Sequence, residues 1–127
     1  MSNPRHHHLR TLFDSNVYLL SVAGPLMLPV SSVVVFAACA MWQSRSGNGE
    51  PMSLEELASR VGKTPSALSA HMRYLSEHYR DGKEGMGLVR TYENRHNSRK
   101  KCFELTAKGE AVAAHLKYLY HRPAGDL

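Results

Sequence analysis

The chain has 127 residues, 43% hydrophobic and 21% charged, which suits one folded domain with a modest core and excludes a wholly disordered chain. A formal net charge of +5 favours an anionic partner, either nucleic acid or an anionic membrane surface. The two cysteines, Cys39 and Cys102, stand in no Cys-x-x-Cys or Cys/His spacing; this argues against a zinc site and reads as reduced thiols in a cytoplasmic protein.

Residues 1–8 read as a flexible tail, and the run His6-His7-His8 as part of it rather than as a metal chelate. No charged residue lies between Asp14 and Arg45, a stretch long enough to cross a bilayer. Gly24-Pro25 and Pro29 interrupt it, and Asn16, Ser21, Ser31 and Ser32 are scattered through it. Two helices, 9–23 and 29–43, therefore replace a membrane span, with Pro29 suited to the first turn of the second. In that second helix Val30, Val33, Val34, Ala37, Ala38 and Met41 fall at i, i+3, i+4 spacing and predict a buried stripe. Val35 and Phe36 add apolar surface on other faces, so the helix should be surrounded on most sides by its own domain or by a second subunit.

Ser44 to Pro51 is a loop by composition. Ser53-Leu54-Glu55-Glu56 is a capping box, and Leu54, Leu57, Ala58 and Val61 give the short helix that follows one apolar face before Gly62 stops it. Thr64-Pro65 opens the next helix, with Thr64 as cap and Pro65 at its first position. Leu68, Met72 and Leu75 form its inward stripe, and the pattern extends it to His78 or Tyr79. Arg80 to Gly87, polar and glycine-rich, reads as a flexible connection. Leu88–Glu93 and Lys101–Leu105 read as two strands, with a polar, basic hairpin tip from Asn94 to Lys100. Thr106 caps a last helix, 107–120, whose apolar content is Ala111, Ala114, Leu116, Tyr118 and Leu119. Residues 122–127 read as a frayed tail, leaving one domain at 9–121.

The expected architecture is mainly α with a small β-hairpin, an α+β winged helix-turn-helix. In such a package one helix braces a second that can enter a DNA major groove, while the hairpin reaches flanking phosphates or the minor groove. From Arg90 to Lys101 the chain carries Arg90, Arg95, Arg99, Lys100 and Lys101 against Glu93, a charge that releases condensed counterions on binding. On the reading helix, Ser66, Ala70, Arg73 and Tyr74 face away from the inward stripe, with Ala67, Ser69 and His71 on its shoulders. Thr64, Ser66, Ala67, Ser69, Ala70, His71, Arg73 and Tyr74, together with Arg95, Arg99 and Lys100 of the wing, are thus the candidate contacts with double-stranded DNA.

From Leu28 to Leu119 the sequence resembles the MarR family of bacterial transcriptional regulators. The features that carry this are Leu28-Pro29-Val30 opening an apolar helix, Leu54-Glu55-Glu56-Leu57-Ala58 through Gly62, Thr64-Pro65-Ser66-Ala67-Leu68-Ser69, the strand entry Gly87-Leu88-Val89-Arg90, and Leu105-Thr106-Ala107-Lys108-Gly109. The resemblance implies a homodimeric, cytoplasmic repressor or activator on a palindromic operator, in a family whose members often bind small phenolic effectors or sense oxidants. It also implies a minor-groove role for Arg99, because the family's wing often reads Asp-x-Arg where this chain has Asn97-Ser98-Arg99. Ala70 stands where a basic residue is frequent, and the second long dimer helix of the family is not seen, so the N-terminal helices are expected to carry more of a dimer.

Two other readings share the fold: a winged-helix protein-interaction module, which would leave heparin at very low salt, and a DNA-binding accessory factor of plasmid or phage replication or partition. No nucleophile elbow, phosphate loop or other catalytic motif occurs, so no enzyme, cofactor or metal is expected. Cys102, beside Lys100 and Lys101, is the better candidate for a reactive thiol, Cys39 being in an apolar run.

Overall fold

The computed structural model describes residues 6–43, 51–80 and 82–123. Five helices and two small antiparallel pairs of strands follow in the order α1 (His7–Ala23), α2 (Val30–Trp42), α3 (Leu54–Val61), α4 (Pro65–Leu75), β1 (His78–Arg80), β2 (Lys83–Glu84), β3 (Val89–Asn94), β4 (Asn97–Leu105) and α5 (Ala107–His121). The architecture is mainly α with a β-hairpin wing, as the sequence predicts. Among the described residues no helix is long and apolar enough to cross a membrane. The loop expected at 44–51 lies almost wholly outside the described residues, as do 1–5 and 124–127.

The predicted caps are formed. Ser53 Oγ accepts from the Glu56 amide at 3.2 Å, Thr64 Oγ1 from Ala67 at 3.2 Å and Thr106 Oγ1 from Gly109 at 3.0 Å, each satisfying an otherwise orphaned first-turn donor. Gly62 closes α3 in the left-handed conformation. Pro29 sits one place earlier than expected, as the N-cap of α2.

The stripe expected on α2 has the wrong phase. Val35, Phe36, Ala38 and Cys39 are buried together with Ser32, whereas Val30 is 78% exposed and Val34 and Met41 also face outward. The helix is apolar nearly all round, so spacing alone could not choose which face meets α3, α4, β4 and α5. The apolar residues named for α5 are likewise mostly outward. Ala111, Ala114 and Tyr118 are exposed while Val112, Ala113 and Leu119 are buried.

α4 ends at Leu75 rather than at 78 or 79. The reason is non-local. Residues 85–88 turn back beneath its last turn, and the amides of Met86, Leu88 and Gly87 donate to Tyr74 O, Leu75 O and Ser76 O at 3.0, 2.7 and 3.0 Å. These bonds take the carbonyls that a longer helix would use. Gly85 lies so close that a Cβ there would run into the carbonyl oxygen of Ser76. A ribbon, β1–β2, consequently takes the place of the expected helix end and of the first half of the expected flexible connection.

The same segment receives α5. Thr106 Oγ1 donates to Gly87 O at 2.6 Å, Lys108 Nζ to Met86 O at 2.9 Å, and a Cβ at Gly109 would collide with Leu88 O. The two motifs around Gly87 and Gly109 thus form one joint, with Thr106, Lys108 and Gly109 all serving packing. Arg122, assigned to a frayed tail, pairs with Asp14 of α1 at 2.8 Å and donates to Leu119 O. That partner holds the Asp14 carboxyl below the usual carboxylate range, despite some desolvation.

Candidate nucleic-acid interface

Thr64 and Pro65 pin the start of α4, so the phase of the whole helix follows from its first turn. At about 100° per residue, burying Leu68, Met72 and Leu75 must turn Ser66, Ser69, Ala70 and Arg73 outward. All four are exposed, as is Thr64. Three residues depart from the expected surface. His71 is half-buried and its Nδ1 lies 3.3 Å from Ser32 Oγ on α2. Burial, and then the Lys63 ammonium, lower its pKa below the ordinary imidazole value. Tyr74, expected on the outward face, is half-buried and packs against the core, because helix geometry puts it on the same side of α4 as Ala67 and His71. Ala67 is half-buried for the same reason.

In the wing, β3 and β4 pair from Val89–Leu105 to Glu93–Lys101 and then slip, so that Asn94 faces Asn97 and residues 98–100 of β4 have no register partner. The turn proper is Arg95 and His96 alone. The basic stretch from Asn97 to Lys100, read as part of the tip, is the start of β4 with a bulge. Asn side chains shape it. Asn94 Oδ1 accepts from the His96 amide at 2.8 Å, and Asn97 Oδ1 from the Arg99 amide at 3.2 Å. Asn97 therefore orients the backbone of Arg99, where the carboxylate of an Asp-x-Arg wing could also pair with the guanidinium. Arg95, Arg99, Lys100 and Lys101 are exposed. Arg90 is turned to Glu104 on the neighbouring strand, so its charge is largely matched within the wing.

The two elements meet. Ser53, Leu54 and Glu55 at the start of α3, Pro65 and Ser69 of α4, and Arg99, Lys100 and Lys101 of β4 line one cleft of about 230 Å³. The bridge between Ser53 and Cys102 holds the strand against this end of α3. The cleft brings together Ser69, Arg99 and Lys100 of the predicted contacts. Arg73 and Ala70 lie further along α4, and Arg95 lies at the tip. Pro65 and Lys101 were not chosen from sequence, although the alternation of exposed Lys101 with buried Cys102 is the period-2 signal that could have found the lysine.

Neither cysteine is accessible. Cys39 is fully buried 3.8 Å from Met72 Sδ, and burial pushes its thiol up to about 12. Cys102 is equally buried, with Asn94 Nδ2 at 3.8 Å from its sulfur. Its two lysine neighbours are exposed while its sulfur is enclosed, so Cys102 packs in the interior and the candidate reactive thiol is out of reach. Among the described residues no group of three metal-ligating side chains is present.

No family model and no curated protein matches the chain. Solved structures do. A DNA complex of MepR from S. aureus superposes with a TM-score of 0.58 at 12% identity, covering 91% of this chain and 74% of that one. MarR gives 0.56 at 19% identity, covering 88% and 71%. The transcriptional repressor CouR, bound to a 23-mer DNA duplex, gives 0.54 at 20% identity, covering 96% and 72%. The fold is the MarR-type winged helix. In MarR-type terms α3 and α4 are the helix-turn-helix and β3–β4 the wing.

Proposed function

We propose that the chain is a sequence-specific, double-stranded-DNA-binding transcriptional regulator that acts as a homodimer. α4 enters the major groove through Ser66, Ser69, Ala70 and Arg73, and the wing lays Arg99, Lys100 and Arg95 on the flanking minor groove or phosphates. The observation that carries this is the shared cleft, which Pro65 and Ser69 of α4 line together with Arg99, Lys100 and Lys101 of β4. Short hydroxyl and methyl groups on α4 permit close approach to base edges, and the wing supplies charge. That two of the similar folds are described as bound to DNA agrees with the reading.

The dimer rests on α1, α2 and α5. The outward face of α1 carries Leu9, Leu12, Phe13, Val17 and Leu20, while its inward face buries Thr11 and Ser15. Val30, Val34 and Met41 of α2 and Tyr118 and Tyr120 of α5 are exposed as well, so large apolar side chains in water are concentrated on these three helices. Such a concentration suits a two-fold partner. Selecting bound fragments from random DNA tests the whole reading. A recovered palindrome with half-sites one helical turn apart is the expected result, and no enrichment over a binding-free control would overturn it.

A further inference from the structure

The wing projects from the molecule on two strands, and its aim depends on how their base is held. Leu105, the last residue of β4, pairs with Val89. Its amide also donates to Gln43 Oε1 at 3.0 Å. The other end of the same amide, Nε2, donates to Glu110 Oε1 in the first turn of α5 at 3.0 Å. Gln43 itself caps the C-terminus of α2, its backbone N–H bonded to Cys39 O. One 9%-exposed side chain therefore joins the end of α2, the root of the wing and the start of α5. The Leu105 amide is buried, and leaving it unsatisfied would be costly, so the three elements hold one mutual arrangement.

We infer that Gln43 is the positioning residue of the wing: its amide sets the angle at which β3–β4 leaves the body, and hence whether Arg99 and Lys100 reach DNA together with α4. The inference rests on the DNA-binding reading for its consequence but not for its geometry. A short polar clamp suits this task better than apolar packing. Its bonds are directional, whereas a packed methyl group tolerates a range of angles.

The test uses the full chain in four forms: wild type, Gln43→Met, Glu110→Ala, and the exchange Gln43→Glu with Glu110→Gln. In the exchange the bridge is kept with donor and acceptor swapped, because a carboxylate at the first position accepts from both Leu105 N–H and the amide at the second. Spin labels at His96→Cys and Glu55→Cys report the distance from wing tip to α3; the native thiols are buried. Gln43→Met and Glu110→Ala should broaden or shift this distance, and the exchange should restore it. On a mixed-sequence duplex of about 30 base pairs, the first two should weaken binding roughly ten-fold and flatten the salt slope by about one to two contacts, at about 0.9 per phosphate. The exchange should recover both. A loss of folding stability alone would not move the salt slope. An unchanged label distance in both single variants overturns the inference, and so does an exchange that leaves the distance disturbed. If Gln43→Met does not fold, Glu110→Ala and the exchange decide. If the wild type binds no duplex, the DNA reading has failed and the label distances still decide the clamp.

Discussion

The half of the molecule that holds α3, α4 and the wing and the half that holds α1 and α2 treat their outward faces differently. In α3, α4 and the wing, apolar residues point in and polar ones out: Leu57, Leu68, Leu75 and Phe103 are buried while Ser66, Ser69, Arg73 and Arg99 are exposed. In α1 and α2 the inward positions include Thr11, Ser15 and Ser32, and the outward ones include Phe13, Leu20 and Val30. A hydrophobic surface over a partly polar interior is costly for a monomer in water. The first half is complete in itself; the second leaves large apolar side chains in water, as the proposed dimer requires.

The contrast can be broken most forcefully from the complete half. Leu68→Asp places an unpaired carboxylate in a site only 1% exposed and should cost more than about 4 kcal/mol, abolishing a cooperative thermal transition; a native-like melt would show that α4 is wrongly phased. Phe13→Asp is the mirror experiment. At 60% exposure it should leave the fold of a monomer intact and weaken the dimer by about 30-fold or more, read by sedimentation. Unchanged self-association would mean that the outward face of α1 is simply surface.

The seam between the halves sharpens the comparison by pH. Burial raises the Cys39 thiol to about 12, above its value in the unfolded chain of about 8.5. The stability this represents is complete below the unfolded value and is lost as pH rises from there towards 12, at up to about 1.4 kcal/mol per pH unit. Chemical denaturation of wild type against Cys39→Ala isolates that slope, and parallel pH profiles would contradict it. In the exposed face Arg99→Ala should leave the melting temperature unchanged, lower DNA affinity by about 1–2 kcal/mol and reduce the salt slope by about one. The smallest effect belongs to His71. Its lowered pKa means stability that is present above the unfolded histidine's value and lost as pH falls through the folded one. His71→Gln should remove this dependence from a urea titration taken from pH 7 to 5.

How far the sequence could be read follows the same division. Caps at Ser53, Thr64 and Thr106 are local chemistry, so the helix-turn-helix and the start of α5 were legible, and with Thr64 came the outward residues Ser66, Ala70 and Arg73, though not the half-buried state of Tyr74. α2 was not legible in phase, because a helix apolar on every side offers no contrast for periodicity to detect. The end of α4 was hidden because residues ten or more further along the chain capture its carbonyls. His71 was read as a contact because Ser32, the partner that draws it inward, lies 39 positions away. In the wing, composition located the basic stretch but not the bulge, which depends on register.

The bonds from residues 85–88 to the end of α4 have a practical use. They close a loop whose base is fastened and whose far side, around Gly82 and Lys83, is exposed. Material added there leaves the fastening untouched, and the cost of lengthening an already closed loop grows only slowly. A short peptide epitope or a small fluorescent domain grafted beside Gly82 should therefore report on the protein in cells without disturbing the proposed reading surface.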